Sequence, residues 1–179
     1  MQDRPAVTVA VILRKRRTAS SWQPWQWELE DVVPHEDAFG TDARCLYRGD
    51  DGERWLHPGF RVELFRDDAE GYHLNVVSPA PCWFVLWRID EEASVAPEPI
   101  ARPVLVTLSY HEAARFLDAQ ETVEQVPAPP DIVEWVRAFA DAHHVVEPKK
   151  RKRPESFRRL EDRFGQPASV STDKGDANG

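Results

Sequence analysis

Apolar and polar residues alternate with period two in several stretches of the chain, the signature of strands with one buried face. In Ala6 to Arg16, Val7, Val9, Val11 and Leu13 fall on one face and Thr8, Ala10 and Ile12 on the other. A second strand runs from Trp25 to Val33 and stops at Pro34, and His35 to Asp42 reads as a loop. Arg44 to Arg48 and Glu53 to His57 form a short pair of strands around the turn Gly49-Asp50-Asp51-Gly52. The stretch from Trp55 to Asp90 then predicts an antiparallel meander. Phe60, Val62 and Leu64 alternate with Arg61 and Glu63, Arg66 to Gly71 makes a connection, and Tyr72 to Val77 is the next strand. Ser78-Pro79-Ala80-Pro81 ends it, because proline cannot donate to a ladder. Cys82 to Ile89 carries apolar residues on both faces and reads as a central strand.

Beyond the acidic connection Glu91 to Pro99, Arg102 to Ser109 is the last predicted strand. Ser109 and Glu112 have capping-box spacing, so Tyr110 to Ala119 is a helix expected to bury Ala113, Phe116 and Leu117. Glu121 to Pro130 reads as an extended linker. Ile132, Trp135, Val136 and Phe139 then recur at helical spacing and define a second helix from Pro130 to His143. The fold expected is α+β: a curved, mostly antiparallel sheet of six or seven strands, open or barrel-like, with two C-terminal helices packed on it.

Composition changes this picture in two ways. Seven tryptophans and eight phenylalanines among 179 residues support one folded body. The charge is divided: residues 1–147 hold 14 basic and 26 acidic side chains, a net of −12, whereas 148–179 hold 9 and 5, a net of +4. An acidic body is a poor nucleic-acid binder. The basic block Lys149, Lys150, Arg151, Lys152 and Arg153 opens a polar tail, 148–179, that is expected to be disordered. Cys45 and Cys82 predict buried free thiols, and two cysteines cannot ligate an iron–sulfur cluster. No apolar run approaches a membrane span, and the basic cluster Arg14 to Arg17 follows the apolar start instead of preceding it, which argues against a secretory signal. A cytoplasmic location is the expectation.

Candidate chemistry is sparse. The six histidines, His35, His57, His73, His111, His143 and His144, lack metal-site spacing, and no nucleophile elbow, phosphate loop or dinucleotide fingerprint occurs. Glu63, Asp67 and His73 are acid–base candidates, but polar residues alternating along a strand also describe a solvated face. No catalytic, cofactor or metal site is expected. Ser20 to Trp27 is the most unusual stretch, with Trp22, Trp25 and Trp27 in six positions. Core residues and an exposed aromatic platform for a partner are both open readings.

The phrases WLHPGFRVELFRDDAEGYHLNVVSPAPCWFVLWRI, RPVLVTLSYHEAARFLDAQETVEQVP and EPKKRKRPESF resemble a bacterial family of short proteins classified only as a domain of unknown function. The resemblance runs from about Val7 to Phe157. Genes of that family tend to lie near molybdenum-dependent formate dehydrogenase subunits, a small ferredoxin-like protein and a redox-enzyme maturation chaperone. The resemblance therefore implies a non-enzymatic accessory protein for formate dehydrogenase that works through protein contacts at Trp22, Trp25, Trp27 and the block Lys149 to Arg153. Two other readings stand beside it. One is a small-ligand barrel for molybdate, a pterin or a nucleotide, lined by Tyr72, Trp83 and Trp87. The other is an enzyme using His57 or His73.

Overall fold

The computed structural model describes residues 3–91, 96 and 98–145. The chain divides into two units, Met1–His144 and Val145–Gly179, and every element below belongs to the first. In order these are β1 (Ala6–Arg17), β2 (Trp25–Pro34), β3 (Arg44–Gly49), β4 (Gly52–Glu63), α1 (Ala69–Val76), β5 (Cys82–Asp90), β6 (Ile100–Thr107), α2 (Tyr110–Asp118), β7 (Thr122–Pro127) and α3 (Pro130–His143). Seven strands form two antiparallel sheets, ordered β2-β1-β4-β3 and β6-β5-β7. The fold is α+β, and the sheets do not close into a barrel.

Alternation along β1 divides two clusters, as its sequence requires. Val9, Val11 and Leu13 enter the main core, which also takes Val62 and Leu64, Trp83, Val85 and Trp87 of β5, and Val106 and Leu108. Ala10 and Ile12 face outward with Leu56, covered by Val33 and Phe39. The central position of β5 is explained in the same way. Its odd-numbered residues enter the core between the sheets, while Cys82 and Phe84 lie under Ala113 of α2. On α3 the stripe of Ile132, Val136 and Phe139 packs against the main core, where Val136 and Ala140 are fully buried. Each large apolar side chain buried in this way contributes roughly 1.5 to 3 kcal/mol before entropic losses.

The predicted meander is corrected in three places. The runs around His57 and Phe60 are one strand, β4, bent where Pro58 and Gly59 together oppose a single residue of β1. Gly59 has φ 86°, a bulge conformation suited to glycine. Tyr72 to Val77 is not a strand, because Ala69–Val76 is helix α1. Over so short a run, alternation at Tyr72 and Val76 cannot be told from the i, i+4 spacing of a helix, and Ala69, Tyr72 and Val76 form its buried face. Gly71 serves helix packing instead of a turn. A Cβ there would sit 2.3 Å from Ser109 Oγ, so α1 meets the start of α2 only because that side chain is missing.

Glu121 to Pro130 is likewise more than a linker. Its Thr122–Pro127 portion pairs with β5 and supplies the second neighbour that a central strand needs. Val123 and Val126 pack on opposite faces, so no alternating stripe announced the strand. The predicted cap of α2 is present with one change: Ser109 Oγ accepts the Glu112 N–H, while Glu112 accepts from Thr107 Oγ1, which in turn accepts the Ser109 N–H. Leu117, expected in the core, is 54% exposed, and Phe116 is half-buried.

One buried side chain ties α1 to the start of β5 and to the residue that follows β6. Asn75 Nδ2 donates to the carbonyls of Cys82 and Leu108 at 2.9 and 3.0 Å, and its Oδ1 accepts the Cys82 N–H at 3.1 Å. Asn75→Ala strands these buried backbone groups, so equilibrium denaturation should show a loss of about 3 kcal/mol. A loss below about 1 kcal/mol would contradict this role.

His57 gives a pH dependence. It is 3% exposed where β4 meets β6, and its Nε2 has no partner among the described residues. Burial and then the nearby Arg102 lower its pKa to about 4, against a weaker opposing pull from a hydrogen bond to the Ala101 backbone. The folded state holds the ring neutral while the unfolded chain protonates near its ordinary value. Stability is therefore fully present above about pH 6.5 and falls as pH drops toward about 4, by about 3 kcal/mol. His57→Leu should flatten that window in a pH series of denaturation curves; an unchanged slope would assign it to other groups.

Candidate functional site

The link from β1 to β2 is short and internally bonded. The Thr18 N–H donates to the Pro24 carbonyl at 2.7 Å, and Thr18 Oγ1 donates to the Gln23 carbonyl. The Ser20 N–H in turn donates to Thr18 Oγ1, and the Gln23 N–H to Ser20 Oγ. Threonine, serine and proline at these positions fold the loop onto its own backbone. Trp22 is carried on this tied loop with 85% of its surface exposed. So large an exposed indole is unusual, since tryptophan is highly buried on average.

Trp25 and Trp27 lie on the face of the sheet that continues into the core, and both are half-buried. Trp27 packs against the main core. Trp25 stands beyond it between two cations, with the Arg17 guanidinium 4.6 Å and the Lys15 ammonium 5.1 Å from its ring centroid. The indole is held by cation–π attraction where apolar neighbours run out. The two open readings of the tryptophan cluster thus divide: Trp27 leans on the core, Trp22 is displayed, and Trp25 bridges between them.

Among the described residues strand β2 is an edge, paired only with β1. The Leu29 N–H points away from β1, since it donates to Glu124 Oε1 on β7 at 2.6 Å. Main-chain direction alternates along a strand, so the N–H and C=O of Trp27 and Trp25 point outward too. Neither residue has a backbone partner there among the described residues. Alongside this edge runs a groove of about 680 Å³ between β2 and the β5–β7 pair, with Trp25, Trp27 and Trp87 among its walls. Trp87 Nε1 is buried there without a hydrogen-bond partner among the described residues. Gln120 adds a further wall and takes φ 65°, a left-handed conformation uncommon for a residue with a Cβ.

Charge at this end differs from that of the acidic body. Glu28 holds both Arg14 and Arg16, and although burial pushes its pKa up, the two guanidinium groups outweigh this and leave it lowered. Lys15 pairs with the exposed Glu98. Arg17 donates to the Asp50 backbone carbonyl and makes no ion pair with any described residue. Of the four cations Arg14 to Arg17, three are engaged by Glu28 and Glu98, with Glu53 opposite Lys15 on β4 and paired with Arg48, and Arg17 is left over.

The other sequence candidates lie elsewhere. Trp83 and Tyr72 are core residues, 2% exposed, so they do not line an open pocket with Trp87. His73 stacks on His144 at 4.4 Å, Glu63 pairs with Arg61 and Arg4, and Asp67 borders a cleft of about 500 Å³ with Arg4, Phe65 and His143. Among the described residues no group of three or more His, Cys, Asp or Glu side chains is placed to hold a metal. Cys82 is buried, which raises its thiol pKa to about 11, whereas Cys45 is half-buried, and both are free. No described helix is long and apolar enough to cross a membrane. Lys149 to Arg153 lie outside the described residues. Sequence reasoning passed over Gln120 and Glu124, whose parts depend on strand pairing; Arg17 was visible as one of the basic cluster Arg14 to Arg17, and the tryptophans by composition.

Comparison with curated proteins and with solved structures finds no match. The profile of the family described as "Protein of unknown function (DUF3305)" matches residues 8–153. That is most of the chain, and it takes in the elements from β1, less its first two residues, to α3. The chain belongs to the DUF3305 family.

Proposed function

We propose that this chain is a non-enzymatic accessory protein that works by presenting the β1–β2 hairpin to another protein. The observation that carries this reading is Trp22, 85% exposed on a loop closed by its own hydrogen bonds. A loop already closed by its own bonds has less backbone freedom to lose on binding, and tryptophan is enriched among residues that dominate interface energy. The half-buried Trp25 extends the surface toward the groove. Lys149 to Arg153 form a second contact region in this reading, adding charge to an aromatic anchor.

The partner proposed is a molybdenum-dependent formate dehydrogenase, or the maturation chaperone that serves it. Support for that identity comes from the resemblance to a family whose genes tend to lie near those of the enzyme. The chain would act during assembly or operation of the dehydrogenase, with the redox chemistry carried by the partner.

Tagged full-length protein, expressed in cells actively making the dehydrogenase, should recover its subunits or the chaperone. Trp22→Ala should reduce that recovery at least about tenfold while leaving the fold unchanged by circular dichroism. If no such protein is recovered, and deletion of the gene leaves formate oxidation at its normal rate, the reading is wrong.

A further inference from the structure

We infer that the outer edge of β2 receives an extended, acidic segment of the partner as an added antiparallel or parallel strand. This rests on the protein-contact reading above and specifies the chemistry of what is contacted. Three observations converge on it. The first is main-chain geometry: the outward N–H and C=O groups of Trp25 and Trp27 have no partner among the described residues, whereas the next outward donor, Leu29 N–H, is taken by Glu124. The edge is thus closed at one end and open along the other. An unpaired edge is a template for another strand.

The second is shape. Where the Glu124 contact ends, β2 and the β5–β7 pair part to leave the groove of about 680 Å³, so an added strand lies between walls and not on a flat surface. Its alternate side chains would meet Trp25 and Trp27 on one face, in the manner of cross-strand pairs. Trp87 and Gln120 face it across the groove, together with Glu121, paired with Arg88, and Glu124, bound to the Leu29 N–H.

The third is charge. A body with a net charge of −12 over residues 1–147 repels an acidic segment in general, and the groove wall itself carries Glu121 and Glu124. Glu121 is held by Arg88, however, and Glu124 by the Leu29 N–H, which leaves Arg17 at the end of β1 as the charge beside this edge that no described residue pairs. Arg17 lies over Trp25 with no carboxylate partner among the described residues, on the same face as the side chain of a strand residue set opposite Trp25. A carboxylate at that position completes the pair. Attraction confined to one corner of a repelling surface also fixes where the segment lands.

The test uses the full-length chain and short fluorescein-labelled peptides, with binding read by anisotropy and by tryptophan fluorescence. An acidic peptide of alternating glutamate and valine should bind. A lysine–valine peptide should bind at least about tenfold more weakly, and so should the acidic peptide N-methylated at alternate residues, which keeps its charge and loses one edge of donors. Arg17→Glu, a change at an exposed side chain, should remove the preference for acid over base. Equal binding of the methylated peptide, or of the basic one, overturns the proposal. It is also overturned if no peptide binds and sedimentation shows the free chain pairing with a second copy. If the peptides fail while Trp22→Ala still abolishes recovery of the partner from cells, strand addition is wrong and the accessory reading survives.

Discussion

The carboxylate of Glu124 on the Leu29 N–H fastens the edge of one sheet to the edge of the other. Two separate sheets can share a core only if their borders are managed, since every unpaired strand leaves a row of donors and acceptors. Here β2 and β7 are both borders, and a side chain does what a further rung of backbone pairing would have done. Residues on the core side of this fastening pack into one apolar body through Val11, Leu13, Trp83 and Val85. On the far side the sheets part, the core gives out, and Trp25 is steadied by Lys15 and Arg17.

That boundary explains why the tryptophans differ although they sit within six positions. Trp27 is close enough to the fastening to lean on the core, and Trp25 falls one pleat beyond it. Trp22 lies on the loop, out of reach of either sheet. Burial thus grades from core to display along a single hairpin. The loop that carries the displayed residue is closed by the hydrogen bonds of Thr18, Ser20 and Gln23.

Much of this fold was legible because alternation is strict where one face is buried. β1 shows it, and so does the helical stripe of α3, and both lie where the pattern put them. Legibility failed where two periodicities coincide or where both faces are used. Tyr72 to Val77 is too short to separate helix from strand, and the partners of the Asn75 amide are brought to it only in the folded chain. In β7, Val123 and Val126 serve opposite faces, so the strand had no stripe to read. The candidate site was half visible for a related reason: composition drew attention to the tryptophans. The open main-chain edge, the unpaired Arg17 and the closing role of Glu124 follow from which strands are neighbours, and that is a property of topology.

Everything proposed for this surface depends on the backbone of β2 being free beyond Leu29. Amide hydrogen exchange resolved residue by residue on the free protein measures that directly. The account requires an alternation: Gln26 and Glu28, whose N–H groups turn toward β1, should exchange slowly, and Trp25 and Trp27 should exchange at rates near those of an unprotected chain. Protection of Trp25 and Trp27 equal to that of Gln26 and Glu28 would mean that the edge is already occupied, and the surface described here would not exist.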